Sequence, residues 1–322
     1  MKKLIFINKI NLLFILISLF TTFIILGTDF INISNTRWIH NVGSDVSPSH
    51  VGWFFFKNDV WRFPLGINPN YGDEIGSSII YSDSIPILAL FFKLIGSILP
   101  ENFQYFSIWF FICFFLQLYF SYKIILHFTK SKLFSFTSSL FFIIAPIFIH
   151  RLGMHVALSG QWILILTLYL GLTKTYEKSK LAWIAVIAIS SLIHFYFTLI
   201  ISIVFILFRI SDFFVNKEKF SKITKSLLIT FIPLVLIMYL SGYFEIRAAD
   251  TLGLGFGVLK LNILSIFDPG ISSKYLTWSW ILPDIKLTKE EELEGFNYLG
   301  LGQILMVLLS LILLIKNNLK KI

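Results

Sequence analysis

The strongest constraint on the fold is a succession of long apolar segments separated by short charged connections. They cover residues 10–31, 79–99, 103–128, 133–149, 156–173, 181–210, 226–242 and 298–316. A helix needs about 20 mostly apolar residues to cross the hydrocarbon core of a bilayer. The mean hydropathy of +0.80 means more apolar surface than a soluble domain covers. The sequence therefore predicts an all-α, polytopic transmembrane helix bundle with about eight crossings and one re-entrant or interfacial segment.

The N-terminus predicts a retained membrane anchor. Lys2, Lys3 and Lys9 precede or open the first apolar segment. That segment is long for a signal-peptide core, and no small-residue cleavage site follows it. We therefore expect a signal anchor with its N-terminus in the cytoplasm.

Two apolar segments do not fit a simple crossing. Residues 79–99 contain Asp83 and Pro86, and residues 181–210 are too long for one untilted pass and are interrupted near His194. We interpret the first as a re-entrant or interfacial element and the second as a helical hairpin. The lysine-rich connections then lie on the cytoplasmic side together with both termini, at 129–132, 174–180 and 209–225. This arrangement follows the positive-inside rule, whereas two simple crossings would break it.

The predicted topology gives one membrane domain, residues 1–322, with two sizeable loops on the outer side. The first covers residues 32–78 and includes juxtamembrane helices, and the second covers residues 243–297. Long loops with dense polar chemistry are more often functional sites than tethers.

Charge and cysteine content exclude some classes of function. The net charge of +9 is explained by the positive-inside bias and does not indicate a nucleic-acid partner. The single cysteine, Cys113, excludes an internal disulfide and a cysteine-based metal cluster. No acidic or histidine pair has the spacing of a metal site, so we expect no cofactor.

The predicted topology places six polar residues that are remote in sequence on the same outer side. These are Asp45, His50, Asp83, Arg151, His155 and His194. Such a grouping predicts one extracytoplasmic pocket. The basic residues Lys57, Arg62 and Lys93 lie in the same region and would balance a phosphate, pair with nearby acids or stay solvated.

Four sequence runs resemble an uncharacterised bacterial family of polytopic membrane proteins. The runs are HVGWFFFKNDVWRFPLG, SDSIPILALFFK, HRLGMHVALSGQWILI and EGFNYLGLG. That family is similar in layout to the GT-C class of glycosyltransferases, which includes protein O-mannosyltransferases and the aminoarabinose transferases that modify lipid A. The resemblance implies the bacterial inner membrane, a sugar donor linked to polyprenyl phosphate, a glycan, lipid or protein acceptor, and a catalytic acid in the first outer loop.

On this resemblance Asp45 is the candidate catalytic residue. It would deprotonate the acceptor hydroxyl as the general base of an inverting sugar transfer. The alternative is an Asx-type turn or helix cap before Pro48.

The other candidates are predicted to bind substrate, and each has a structural alternative. Asp83 is a costly carboxylate in a membrane segment, or else the cap of the helix that includes Pro86. Arg151 and His155 are four residues apart and would hold the donor phosphate, or else anchor the helix at the membrane boundary. His194 would contact phosphate or sugar, or else make a helix-packing hydrogen bond.

The aromatic residues between Trp53 and Trp61 would stack on sugars or dock a juxtamembrane helix in the headgroup region, and the second interpretation is favoured. The leading functional hypothesis is a GT-C-type glycosyltransferase. A transporter or flippase of a lipid-linked glycan is the alternative from another class. A truncated, non-catalytic member of the family is the third.

Overall fold

The computed structural model describes residues 9–39, 46–72, 76–245, 261–270, 278–285 and 295–319. Within these residues the chain is mostly helical. The α-helices are α1 (Lys9–Leu26), α2 (Val46–Asn58), α3 (Pro86–Leu94), α4 (Phe106–Thr129), α5 (Lys132–Ile143), α6 (Pro146–Met154), α7 (Trp162–Thr173), α8 (Tyr176–Ser191), α9 (Phe195–Phe214), α10 (Phe220–Ser241) and α11 (Leu301–Leu319). A short antiparallel ladder pairs β1 (Ile67–Asn68) with β2 (Ser77–Ser78).

Three helices in the described part of the chain are long and apolar enough to cross a membrane, namely α4, α9 and α10. A fourth crossing is present if α5 and residues Pro146–Leu152 form one bent span. The helical, membrane-type fold is confirmed, but the crossings are fewer than the predicted number of about eight. The difference arises because other apolar segments form helices of only 10–17 residues, at Ile10–Leu26, Ala157–Thr173 and Leu301–Lys316.

The predicted break in segment 181–210 is confirmed. Helix α8 ends at Ser191, and α9 begins after His194, its N-cap residue. The hydroxyls of Ser190 and Ser191 donate to carbonyls three residues back, so they bind the last turn of α8. The imidazole of His194 accepts a hydrogen bond from the first turn of α9. The polar interruption of the apolar run is therefore the boundary between two helices.

Segment 79–99 does not form a simple crossing, as predicted. Its α-helix, α3, has nine residues and is about 14 Å long, about half of the hydrocarbon thickness. Pro86 occupies the first turn, where a missing N–H costs no hydrogen bond. The residue before it, Ile85, is the N-cap in a left-handed conformation and makes no side-chain cap bond. The interpretation of Asp83 as the cap of this helix is therefore wrong.

The described chain divides into two compact units, and the first comprises Met1–Ile143 and Arg151–Arg247. In this unit α4 packs against α1, α5 and α7, and α8 packs against α7, α9 and α10. The fully buried ring of Phe14 on α1 meets Tyr122 edge-on at 5.2 Å and stacks on Phe136 at 6.1 Å. Aromatic packing of this kind links helices whose other faces are exposed and apolar.

The second unit comprises Ile144–His150 and Ala248–Ile322. Its core contains Phe296, Tyr298 and Ile304, and the ring of His150 lies 4.6 Å from that of Phe296. The second outer loop contains the sequence FDPG at 267–270, where the carboxylate of Asp268 accepts from the backbone N–H of Gly270. The glycines at 253, 255 and 257 and the acidic run at 290–294 in the same loop lie outside the described residues.

Candidate functional site

The structure brings two of the predicted site residues into direct contact. The Nε2 atom of His194 lies 3.1 Å from Oδ1 of Asp83, although the two residues are remote in sequence. The side chain of Asp83 is 38% exposed and that of His194 is 14% exposed. The carboxylate of Asp83 is therefore more accessible to solvent than the imidazole of His194 that contacts it.

The hydrogen bonds of His194 determine which of its nitrogen atoms carries the proton. The backbone N–H of Tyr196 donates to Nδ1 of His194 at 3.1 Å. A nitrogen that accepts a hydrogen bond carries no proton, so the neutral ring holds its proton on Nε2. That proton is donated to the carboxylate of Asp83. His194 thus makes a helix-cap hydrogen bond within α9 and a contact with Asp83, a second candidate residue.

Asp83 lies in a constrained turn. Asp83 and Ile85 both have left-handed backbone conformations, with φ of 52° and 50°. Such values are uncommon for non-glycine residues, and for a β-branched residue such as Ile85 they indicate strain. Residues in strained conformations cluster at functional sites and persist only where the surrounding structure holds them.

Neighbouring side chains hold this turn in place. The hydroxyl of Ser84 donates to the carbonyl of Ser49 on α2 at 2.6 Å, and the hydroxyl of Tyr105 donates to the carbonyl of Ser84. On the same side, Gly52 of α2 approaches Ser82 so closely that a Cβ at Gly52 would lie 2.5 Å from the Cβ of Ser82. The turn is therefore clamped between α2 and the residues that precede α4.

Backbone contacts join the turn to the α8–α9 break. The N–H of Ile87, in the first turn of α3, donates to the carbonyl of Leu192 at 2.8 Å. The hydroxyl of Tyr243, just after α10, donates to the carbonyl of Ser191. The hydroxyl of Tyr81 in turn donates to the carbonyl of Tyr243. These bonds bring Asp83 to His194 and place the end of α10 beside them.

The pair lines an open cavity of about 470 Å³ in the first unit. Its lining residues come from the turn, from the start of α9 and from the end of α10: Ile80, Tyr81, Asp83, His194, Phe195, Tyr196, Met238, Tyr243 and Phe244. Burial raises the pKa of the Tyr81 and Tyr243 hydroxyls, so both phenols stay neutral at physiological pH. Among the described lining residues, Asp83 is the one acidic side chain.

A second, apolar groove adjoins this cavity. It has a volume of about 610 Å³ and is lined by Leu227, Leu228, Phe231, Ile232, Val235, Leu236, Tyr239 and Phe244. All but Phe244 lie on α10, one of the three helices able to cross a membrane. Phe244 lines both spaces, so the groove on α10 and the cavity of the Asp83–His194 pair border the same side chain.

A close backbone contact fixes one wall of the site. The N–H of Leu65 donates to the carbonyl of Leu240 at 2.8 Å, and a Cβ at Gly66 would lie only 2.0 Å from the carbonyl oxygen of Ser241. The hydroxyl of Ser78 donates to the carbonyl of Gly66 at 3.0 Å. The β1–β2 ladder is therefore held against the end of α10, next to the cavity.

Among the described residues, the other predicted members of the pocket, His50, Arg151 and His155, do not line this cavity. Asp45 lies outside the described residues, so its predicted role stays a prediction. Arg151 and His155 keep the predicted helical spacing, because the N–H of His155 donates to the carbonyl of Arg151 at 3.1 Å. Both are half-buried. His50 is buried on α2 and meets the ring of Phe106 edge-on at 6.2 Å.

Two predicted basic residues bind the protein itself. Nζ of Lys57 donates to the carbonyls of Pro100 and Glu101, each at 2.7 Å, which ties the end of α2 to the residues before α4. Burial lowers the pKa of Lys57. Arg62 forms an ion pair with Asp59 at 3.2 Å, which confirms the alternative that it pairs with a nearby acid.

Lys93 is a buried lysine held by aromatic rings. Its Nζ lies 3.9 Å from the ring centre of Phe56 and 4.9 Å from that of Trp61. The side chain is 6% exposed, and burial lowers its pKa to about 8. Asp59 raises this pKa and Arg62 lowers it, each by less than burial does.

The aromatic run on α2 is divided between packing and exposure. Trp53 and Phe56 are buried, while Phe54 and Phe55 remain exposed.

Sequence reasoning missed a charge cluster at the opposite end of α9. Arg209 is 1% exposed and its guanidinium binds Asp212 and Glu218. It also donates to the hydroxyl of Ser226 at 3.0 Å and lies 4.6 Å above the ring of Tyr176. The signal available in the sequence was an arginine inside an apolar run with acids three and nine residues later.

Comparison with known protein families gives one match. The profile of a domain of unknown function, DUF6311, matches residues 15–322, nearly the whole chain. The chain belongs to the DUF6311 family. Comparison with curated proteins and with solved structures gave no match. In this DUF6311 protein, the cavity, the groove and the charges around them are the features of the described chain that bear on function.

Proposed function

We propose that this DUF6311 protein is a membrane glycosyltransferase of GT-C type. It transfers a sugar from a polyprenyl-phosphate-linked donor to an acceptor on the extracytoplasmic face of the bacterial inner membrane. The reaction forms a bond between an acceptor oxygen and C1 of the sugar, and polyprenyl phosphate leaves with the electrons of the broken C1–O bond. The acceptor hydroxyl loses its proton to a carboxylate.

One observation carries the proposal. A carboxylate in contact with an imidazole lines a cavity that shares Phe244 with an apolar groove of a membrane-type helix. Enzymes of lipid-linked substrates need this combination, because the reacting polar group must meet a chain that stays in the bilayer. Carboxylates at membrane boundaries are costly to keep and are more often functional than incidental.

The roles of the residues follow from their charges. Asp45 is the proposed general base. Arg151 and His155 share one helical stretch and would hold the donor phosphate, since cationic groups stabilise the charge that develops on a leaving phosphate. The cavity of Asp83 and His194 would bind the acceptor, because a carboxylate repels a phosphate.

The test uses purified protein in vesicles that contain an undecaprenyl-phosphate-linked hexose with a labelled sugar. Release of undecaprenyl phosphate with incorporation of label into a lipid, glycan or protein fraction is the expected result. Asp45→Asn should abolish transfer, while Asp83→Asn should raise the KM for the acceptor more than it lowers kcat. Glu101→Gln, which removes an exposed carboxylate elsewhere, is the control and should leave transfer unchanged.

The same vesicles separate transfer from transport. A flippase would move the labelled lipid between leaflets with its sugar still attached. Movement of intact donor without release of undecaprenyl phosphate would refute the transferase proposal and favour the transporter. Full transfer by Asp45→Asn would remove Asp45 from the mechanism.

A further inference from the structure

The electrostatics of the cavity select against anionic ligands. Among the described residues that line it there is no lysine or arginine. Both ring nitrogen atoms of His194 are engaged within the protein, because Nδ1 accepts a backbone hydrogen bond and Nε2 contacts the carboxylate of Asp83. The phenols of Tyr81 and Tyr243 donate to backbone carbonyls and do not supply a positive charge. The carboxylate of Asp83 is left as a hydrogen-bond acceptor with a net negative charge.

The carboxylate favours a ligand group that can donate a hydrogen bond to it. A phosphate beside Asp83 would suffer like-charge repulsion with no described cation in the lining to offset it. An ammonium group donates hydrogen bonds but has no lone pair to accept one, whereas a hydroxyl both donates and accepts. Tyr196, whose side chain is exposed at the rim, provides a phenol that can donate to the oxygen of such a hydroxyl.

The groove defines the rest of the ligand. It follows α10 from Leu227 to Tyr239, a distance of about 18 Å along the helix axis. That length is comparable to one leaflet of hydrocarbon, about 15 Å. The lining side chains are half exposed on a membrane-type helix, and no polar side chain other than Tyr239 interrupts them in the described lining. The groove therefore suits one hydrocarbon chain that enters from the bilayer.

We propose that the cavity and groove together bind a neutral, hydroxyl-bearing lipid. Its chain lies along α10, it passes Phe244, and its hydroxyl donates a hydrogen bond to Asp83. The proposal of a lipid-binding site depends only on the lining of the cavity and the groove. The further statement that this lipid is the acceptor of the sugar rests on the function proposed above.

The experiment uses the full-length protein in phosphatidylcholine vesicles and three photoreactive probes with the same long alkyl chain. One probe ends in a hydroxyl, one in a phosphate monoester and one in an amine, and each carries a diazirine within the chain. After irradiation, mass spectrometry locates the cross-links. We expect the alcohol to label α10 between Leu227 and Tyr239 about tenfold more than the phosphate ester does, the factor that a modest like-charge repulsion gives.

Matched variants test both halves of the site. Asp83→Asn keeps the size of the side chain and an acceptor for His194, and it should bring the labelling by the alcohol and by the phosphate ester close to each other. Val235→Trp should block the groove, whereas Ile203→Trp on α9 places the same bulk on an equally exposed apolar position outside it. Glu101→Gln controls for the loss of a carboxylate.

Several results would overturn the inference. These are stronger labelling by the phosphate ester or the amine, equal labelling that Asp83→Asn does not change, and labelling of α10 that Val235→Trp does not reduce. The outcome is separable from that of the proposed function. Preferential labelling by the alcohol in a protein that transfers no sugar would retain the lipid site and refute the transferase.

Discussion

His194 makes two hydrogen bonds that can be separated by substitution. Its Nδ1 accepts from the backbone of α9, and its Nε2 donates to Asp83. The first bond is a helix cap, a structural function. The second orients and stabilises the carboxylate, a function of the site. A single imidazole thus connects the beginning of a helix to the chemistry of the cavity.

Asparagine and glutamine at position 194 should each keep one of the two hydrogen bonds of His194 and lose the other. His194→Asn keeps an oxygen at the position of Nδ1 and so keeps the cap, but it loses the donor to Asp83. His194→Gln places its amide N–H near the position of Nε2 and keeps the donor, but it loses the cap. We expect the glutamine variant to retain more alcohol labelling and more transfer, at a stability cost of about 1 kcal/mol. The melting temperature measures the stability cost, and alcohol labelling and the pH profile of transfer measure the loss of the donor to Asp83.

A purely structural role of His194 would give the reverse order. The asparagine variant would then be both more stable and more active than the glutamine variant, with the same pH profile as the natural protein.

Lys93 should make stability depend on pH in the alkaline range. Its pKa is about 8 in the folded protein, against an ordinary value of 10.5. Between these values the unfolded chain binds more protons than the folded one, so the free energy of unfolding rises with pH. The penalty of the buried ammonium is fully present below about pH 8. Thermal unfolding of the natural protein and of Lys93→Met, compared from pH 7 to pH 10, should show a difference that changes with pH in this direction.

A constant difference between the two proteins across this pH range would contradict the assignment. Lys57→Met provides a second comparison, because Lys57 also binds backbone carbonyls but is less buried than Lys93, so its substitution should change the pH dependence of stability less.

The sequence is sufficient to identify some residues of the site, but it does not predict their contacts. Asp83 and His194 were both singled out because a carboxylate and an imidazole are unusual within apolar segments. The two residues come into contact because the turn at Asp83 packs against the α8–α9 break. No local sequence pattern predicts this packing. Arg209 was treated as part of a lysine-rich connection, since its burial depends on acids that follow in the next loop.

At the scale of elements, the contact between the β1–β2 ladder and α10 should control the cavity. Gly66→Ala would place a Cβ 2.0 Å from the carbonyl oxygen of Ser241 and must push the ladder away from α10. We expect a loss of alcohol labelling with the helical content unchanged. Gly96→Ala is the matched control, because a Cβ at Gly96 meets nothing within 4 Å. Unchanged labelling in Gly66→Ala would show that the ladder does not shape the site.

The Arg209 cluster should hold α9, α10 and α8 together at the far end. Arg209→Met leaves Asp212 without its cation and Glu218 with the exposed Lys222 alone, and breaking a buried ion pair in this way costs about 3–5 kcal/mol. Lys222→Met removes an exposed partner of Glu218 and should change stability little. Denaturation of the purified variants in mild detergent measures both. Equal stability of the two variants would contradict a supporting role for the buried arginine.

Elements were predictable where the signal was local. The break at His194 follows from polar residues that interrupt an apolar run, and the start of α3 follows from Pro86. The number of crossings did not follow from the apolar segments, because apolar composition does not determine helix length. Segment 156–173, for example, begins as a turn of 3-10 helix and gives an α-helix of only 12 residues.

For the whole molecule, the proposed topology can be read from single cysteines. Cys113 is fully buried, so the natural protein gives little background with thiol reagents. Asn58→Cys and Lys178→Cys each place a thiol at an exposed position. With the lysine-rich connections inside, a membrane-impermeant maleimide should label position 58 in intact cells and position 178 only after permeabilisation. Labelling of both from the same side would overturn the topology and with it the extracytoplasmic site.

Phe244 lines both the cavity of the Asp83–His194 pair and the apolar groove along α10. In the proposed mode of binding, a lipid passes this one ring between its chain and its hydroxyl group. The width of the lipid at that point, and not its total length, would then limit binding, so a single unbranched chain would fit better than a branched or doubly tailed one.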